Sequence, residues 1–423
     1  MRVAVIGGGW AGLAAAIEAT ARGHVVTLYE MAAQLGGRAR RVDVDGLALD
    51  NGQHLLIGAY TQTLGLMRRI GVDPEQALSR LPLTLVDARG RGLMLRPGRR
   101  APLPEVARAV LLQRDWSRRD RWRLLLTAAR WMAQGWRCDP RLTVSALIDP
   151  LPEAVRRDFI EPLAIAALNT PLHEASAAVL LRVLRDALSG GAGAADLLIP
   201  RVTMSDLLPT PASRWLSAAG ATLRCGQRVQ RIEVESGGWL VDGEGFEAAV
   251  LAASASEAAR LMQPLAPQWS GLAAALRHQP IATVYLEGAA AAPWPAPMVV
   301  LRSDERAAPA QFAFDLGRLG REAGLVALVC SAAATSVERG VPALEAATLE
   351  QARRQLPGRW TLLRTLVDRR ATFACTPGLL RPARAVTAGL VAAGDYIEGP
   401  YPGTLEAAVQ SGIDAARALP SCK

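Results

Sequence analysis

Two periods of apolar residues follow one another at the start of the chain. Val3-Ala4-Val5-Ile6 is an unbroken apolar run, the pattern of a strand buried on both faces in a parallel sheet. Glycines at 7–9 interrupt it, and Leu13–Ala19 follows as a stretch of strong helix formers that Gly23 ends. Val25–Tyr29 repeats the buried-strand pattern and stops at Glu30. Strand, turn, helix and strand in that order predict the opening of an α/β domain. Near the other end, Gly389–Asp395 reads as a further buried strand and Leu405–Gly412 as a helix with Thr404 at its N-cap. Between them, Thr222–Cys225 and Arg228–Val234 read as paired short strands, with Trp239–Val241 and Ala248–Ala253 continuing the meander. Gln311–Phe314 and Leu325–Cys330 predict strands, Ala289–Pro297 an Ala/Pro-rich loop, and Val106–Leu112 and Trp122–Leu126 amphipathic helix.

The first turn carries chemistry. Gly7-Gly8-Gly9-Trp10-Ala11-Gly12 is a G-x-G-x-x-G run between the first strand and the first helix. Gly7 permits the tight turn, Gly9 lets the backbone approach a pyrophosphate, and Gly12 lets helix and strand pack closely. The helix N-terminus at Trp10 and Ala11 offers N–H donors to the anion. Glu30, 18 residues beyond Gly12, is placed to bond a ribose hydroxyl. A glycine turn without a ligand is the plain alternative, and the register of all five parts argues against it. A second glycine turn, Gly36-Gly37-Arg38, follows the acid, and Arg38 suits a phosphate. Gly394-Asp395 closes the late strand, and Gly403-Thr404 opens the last helix.

These separated elements, with the strand around Val229, resemble the FAD-dependent amine oxidase and phytoene desaturase superfamily. The resemblance implies a Rossmann-like FAD-binding domain built from separated segments, with an inserted α+β substrate domain. On that basis the FAD domain takes residues 1–62, 210–275 and 383–423, and the substrate domain takes 63–209 and 276–382. It also implies FAD as cofactor, with Gly36, Gly37 and Arg38 approaching the diphosphate and flavin. Val229 would offer backbone bonds to the adenine, and Gly394 and Asp395 would contact the ribityl or pyrophosphate region. The helix after Gly403 and Thr404 would aim its N-terminus at the pyrimidine edge, where charge collects on reduction.

Leu49–Tyr60, Pro162–Pro171, Val183–Leu188 and Leu198–Leu207 are similar, more narrowly, to the hydroxysqualene dehydroxylase family of squalene-associated FAD-dependent desaturases. This implies reduction of hydroxysqualene, a long-chain isoprenoid, to squalene by hydride from reduced flavin with loss of water, in bacterial squalene and hopanoid biosynthesis. It places Asn51 and Gly52 against the flavin and Asn169 and Thr170 in the substrate cavity. Loss of hydroxyl needs a general acid. Asp50 and His54 are the candidates, with Tyr60 behind them, and a structural imidazole is the other reading of His54. Many amine oxidases use a lysine near flavin N5; the one Lys of this chain is Lys423, so amine oxidation falls. No second strand-anchored G-x-G-x-x-G supplies an NAD(P)H domain, which leaves the electron donor unidentified. A carotenoid-type desaturase on the same fold and a non-catalytic prenyl-lipid binder remain as rival readings.

Composition changes this picture at one place. The 423 residues carry a net charge of +9, yet residues 89–141 alone hold 14 Arg against Glu105, Asp115, Asp120 and Asp139, a net +10. The remainder is therefore close to neutral. That segment also holds Trp116, Trp122, Trp131 and Trp136. Arg and Trp on amphipathic helices suit an anionic membrane surface, and a solvated helical face is the plainer reading. Nucleic acid is not expected, because no recognised motif accompanies the arginines. No run reaches the roughly 18 apolar residues of a spanning helix. Five scattered Cys without C-x-x-C spacing argue against a disulfide framework or metal site. The expectation is a cytoplasmic protein, with peripheral attachment to the inner face of the cytoplasmic membrane as its variant.

Overall fold

The computed structural model describes residues 1–98, 100–290 and 292–420. Its central sheet has six strands: β1 (Arg2–Ile6), β2 (Val25–Glu30), β3 (Thr222–Cys225), β4 (Ala248–Leu251), β5 (Ala385–Thr387) and β6 (Leu390–Ala392). Their order is β3-β2-β1-β4-β6-β5, parallel throughout except for the antiparallel edge strand β5. β1 reads as continuously apolar because both its faces are buried. Val3 and Val5 enter one core and Ala4 and Ile6 the other. Helix α1 (Trp10–Ala21) packs on the sheet together with the helix Leu405–Arg417. Small side chains make this approach close: a Cβ at Gly412 would lie 2.1 Å from the Ala11 carbonyl oxygen.

A second sheet of five antiparallel strands runs in the order 298–300, 312–315, 325–330, 278–290, 358–373. A helical layer between residues 102 and 189 lies beside it and includes α2 (Pro102–Leu112) and α3 (Arg118–Ala133). Ser117 caps α3 through a reciprocal capping box with Asp120. The fold is thus α/β, with a Rossmann-like sheet drawn from three distant stretches of chain.

Three expectations need correction. Thr222–Cys225 does not pair with Arg228–Val234. It joins the parallel sheet beside β2, and residues 228–231 form no strand. Side chains have taken over the backbone groups a ladder would use. The Asp242 carboxylate accepts from the Gln230 and Arg231 N–H groups, and Arg260 donates to the Val229 and Gln230 carbonyls. Likewise Ala248–Leu251 belongs to the parallel sheet, while the meander is only Ile232–Glu235, Gly238–Val241 and Glu244–Phe246. The loop expected from Ala289 begins later, since the long strand runs through Ala290.

Candidate active site

The two glycine turns and the late Gly-Asp meet at the C-terminal edge of the parallel strands. Gly7, at φ +111°, has no room for a side chain, since a Cβ would stand 2.5 Å from the Ala252 carbonyl oxygen. Gly12 packs against the Gly7 carbonyl, where a Cβ would lie at 1.8 Å. Gly9 differs. The nearest protein atom to a Cβ there is the Gly37 Cα at 3.9 Å, so its outer face is open. α1 starts at that point without a side-chain cap and without an acid in its first turn, leaving free N–H groups for an anion. The second turn is stitched to the first by Gly36 N–H to the Gly8 carbonyl at 2.8 Å and by Trp10 Nε1–H to the Ala39 carbonyl at 2.9 Å.

The buried Glu30 carboxylate accepts from the Gly8 and Ala32 N–H groups at 2.7 and 2.8 Å, which fixes it at the rim. Arg38 lies 2.5 Å from Asp395, a residue 357 positions away, and also donates to the Ala371 carbonyl. The arginine expected to hold phosphate is therefore engaged by the acid expected at the ribityl or pyrophosphate region. Asn51 donates to the Arg38 carbonyl, and Thr404 caps its helix by accepting from Ala407 N–H at 3.1 Å.

These groups line a cavity of about 710 Å³. One part is walled by Gly7, Gly9, Trp10, Ala11, Glu30, Gly36, Gly37, Arg38, Asn51, Gly52, Val229, Gly394, Asp395, Gly403 and Thr404. Gly12 is absent from this wall, in keeping with its packing role. The other part is apolar and includes Val106, Val110, Leu124, Trp131, Phe159, Leu163, Leu184, Phe312 and Phe314. None of the lining residues between 83 and 197 is charged. Tyr396, Thr372 and Ser254 also line the cavity, and sequence reasoning passed over them.

The three acid candidates separate. Asp50 does not line the cavity. Its side chain is 3% exposed, ion-paired with Arg321 at 2.5 Å and accepting from Met204 N–H at 2.8 Å, while Tyr285 donates to its carbonyl. Asp50 is thus a structural anchor, not a proton donor to the cavity. His54 does line the cavity, and its Nε2 is buried without a hydrogen-bond partner among the described residues. Burial, helped by the Arg38 charge, depresses the imidazole to about 4, so it is neutral near pH 7. Tyr60 also lines the cavity, bonded to the Thr404 side chain, and burial pushes its phenol up, so it keeps its proton.

Of the substrate candidates, Asn169 lines the cavity, but its amide is committed. It donates to Thr372 Oγ1 and the Gln279 carbonyl and accepts from Ala332 N–H at 2.6 Å. Its left-handed φ of +44° ends the Glu161–Leu168 helix. Thr170 is a correction: fully buried, it bonds the Leu168 carbonyl and accepts from Cys375 N–H, outside the cavity. Lys423 lies outside the described residues.

The His54 shift has a pH consequence. Between its folded value of about 4 and the usual 6.5, the unfolded chain binds more protons than the folded one. Its contribution is fully present above about pH 6.5 and is lost as pH falls toward 4. His54→Gln should therefore flatten the acid limb of apo-protein melting temperature between about pH 7 and about pH 5. His24 and His278, shifted the same way, leave part of that limb in place.

The cradle fits a flavin dinucleotide: an open Gly9 face, uncapped helix N–H groups and a fixed acid at the rim. Residues 10–420 match the family of flavin containing amine oxidoreductases, and the chain belongs to that family. It is an FAD-dependent oxidoreductase by class. A hydroxysqualene dehydroxylase of Rhodopseudomonas palustris is 29% identical over 445 residues, covering 98% of this chain and 97% of that protein. One of Zymomonas mobilis is 29% identical over 238 residues, and the matched stretch spans about half of each chain, 54%. A zeta-carotene desaturase of Synechocystis is 38% identical over 92 residues, 22% of this chain and 19% of that one. An oxidoreductase from Methanosarcina mazei shares the fold with a TM-score of 0.74 at 16% identity, over 99% of this chain and 100% of that one.

Proposed function

We propose that this chain reduces hydroxysqualene to squalene, with loss of the hydroxyl as water. The observation that carries the reading is the uncharged apolar chamber continuous with the flavin cradle. An amine would bring a cation into that chamber, where no carboxylate lines the wall between residues 83 and 197. A neutral polyisoprenoid meets a wall there that carries no charge and is apolar except at Asn169 and the tryptophan N–H groups. The end-to-end likeness to the Rhodopseudomonas dehydroxylase supports the same substrate, whereas the carotene desaturase match is confined to a fifth of the chain.

Gly9, Gly37 and the N-terminus of α1 would hold FAD, whose reduced form would supply the hydride. The chain must do the rest: seat the hydrocarbon, hold the hydroxyl oxygen and exclude water. The His54 imidazole, which lines the cavity, is the side chain we place at that oxygen. A neutral imidazole donates a hydrogen bond to the departing oxygen, and the Tyr60 phenol, which keeps its proton, is the group on the same wall that passes a proton to that oxygen so that it leaves as water, recovering it from solvent afterwards. Arg38 and Asp395 hold each other at the diphosphate end, so both are fixed before cofactor arrives.

The test is anaerobic turnover of hydroxysqualene by protein carrying photoreduced FAD. Squalene as product, with a fall of about a hundredfold or more in kcat for His54→Ala and flavin retained, is the expected result. Untouched hydroxysqualene together with oxidation of a carotene precursor by the oxidised enzyme would establish the desaturase reading. A colourless protein that binds isoprenoid without turnover would establish the binder.

A further inference from the structure

Helices α2 and α3 each present apolar residues on two opposite sides. Inward, Val106, Val110, Leu124 and Trp131 form cavity wall. Outward, Leu111, Leu112, Trp122 and Leu126 are 44%, 62%, 59% and 66% exposed. A soluble helix needs one apolar stripe to join a core, so a second, outward stripe has no partner within the fold. Arg121 donates to the Leu111 carbonyl at 2.6 Å, which holds the end of α2 beside the start of α3 and brings the four outward side chains onto one ridge.

The charge on that ridge selects what covers it. On α3, Arg119, Trp122, Arg123, Leu126 and Arg130 recur at three- and four-residue spacing and share the outward face. Arg96 and Arg108, by contrast, share an ion pair with the buried Glu105, whereas Arg119, Arg123 and Arg130 form no ion pair among the described residues. Apolar side chains interleaved with unpaired arginines, and a tryptophan at their level, match the boundary of an anionic bilayer. A protein partner would require acids aligned with each arginine, and a duplex would leave Trp122 and the leucines unburied. No helix among the described residues is long and apolar enough to cross a membrane, so the contact is superficial.

We infer that the outward face of α2 and α3 docks on anionic lipid, and that substrate passes from the bilayer into the cavity through the wall these helices share. The passage, unlike the docking, rests on the isoprenoid reading above. Docking is measured by sedimentation of the flavin-loaded protein with vesicles of phosphatidylcholine alone or mixed with phosphatidylglycerol. The expected result is binding to the mixed vesicles only, weakening with salt. Each arginine near such a surface contributes about fivefold to partitioning, so Arg119→Gln, Arg123→Gln and Arg130→Gln together should weaken it by more than about tenfold. Trp122→Ser with Leu126→Ser should abolish it. Both variants should keep the flavin spectrum and melting temperature of the parent, since none of these side chains lines the cavity. Parent protein that stays in the supernatant, variants that bind as the parent does, or a parent that binds duplex DNA in preference to vesicles would each overturn the docking. The passage predicts that these variants lose turnover of vesicle-borne hydroxysqualene but keep it in detergent micelles, and equal loss in both overturns it. Vesicle binding by a parent that turns over hydroxysqualene in neither medium would defeat the substrate reading and leave the docking standing.

Discussion

Gly9→Glu should yield a folded protein that purifies without flavin. Gly9 has φ −73° and ψ −179°, extended geometry that any residue adopts, so the substitution carries no backbone strain. A Cβ there meets only the Gly37 Cα at 3.9 Å, and the longer side chain projects into the cavity. What it disturbs is the anion site. A carboxylate would sit over the free N–H groups of α1 and repel a diphosphate, a like-charge contact costing several kcal/mol. The absorption spectrum of purified protein reads the result directly, and a yellow Gly9→Glu protein would defeat the assignment of the cradle. Gly7→Ala is the contrasting control. Its Cβ would meet the Ala252 carbonyl at 2.5 Å from a left-handed backbone, so that variant should lose stability as well as cofactor.

The second large effect is expected at the Asp50–Arg321 pair. The two side chains are 3% and 8% exposed, and Arg321 also donates to the Ala48 carbonyl. Arg321→Met would leave Asp50 buried with Met204 N–H as its remaining donor, a loss of about 3–5 kcal/mol by denaturant titration. The deficit should depend on pH. Burial already raises the Asp50 pKa despite Arg321, and removing that cation raises it further. A folded-state value above the unfolded one adds stability at low pH that is lost as pH rises, so the variant should be less impaired near pH 5 than near pH 8. Asp50→Asn separates the structural role from the chemical one. It keeps an acceptor for Met204, so it should lose less stability and retain turnover. Normal stability with abolished turnover would return Asp50 to the role of acid.

The legible part of this molecule was the local part. β1, the glycine turn, α1 and β2 are specified within thirty residues by apolar period and glycine placement, and each forms where those signals put it. The Thr404 cap was equally local. What joins distant positions left no such trace. Arg38 and Asp395 were each visible as cofactor residues, but nothing along the chain shows that they face one another. Asp50 was misread for the same reason: its partner lies 271 positions away, and an acid beside a flavin loop looks the same whether or not it is paired. The strand expected at 228–234 begins only at Ile232, because Asp242 and Arg260 engage the backbone of residues 229–231 from the side. Phe312 and Phe314 were visible as strand residues, yet alternation defines two faces without saying which one meets the cavity.

The order of strands in the parallel sheet bears on how the chain is made. β1 lies between β2, which follows it almost at once, and β4, which arrives some 240 residues later. β6 and the helix that covers Ala11 come later still, at 390–417. A ribosome therefore releases the complete nucleotide-binding turn long before the surfaces that bury it exist. In that interval the apolar flanks of β1 and α1 stand open to solvent and to other chains. Cofactor capture must wait for the final helix, and a fragment ending before residue 390 would carry the whole glycine motif without a site for it to serve.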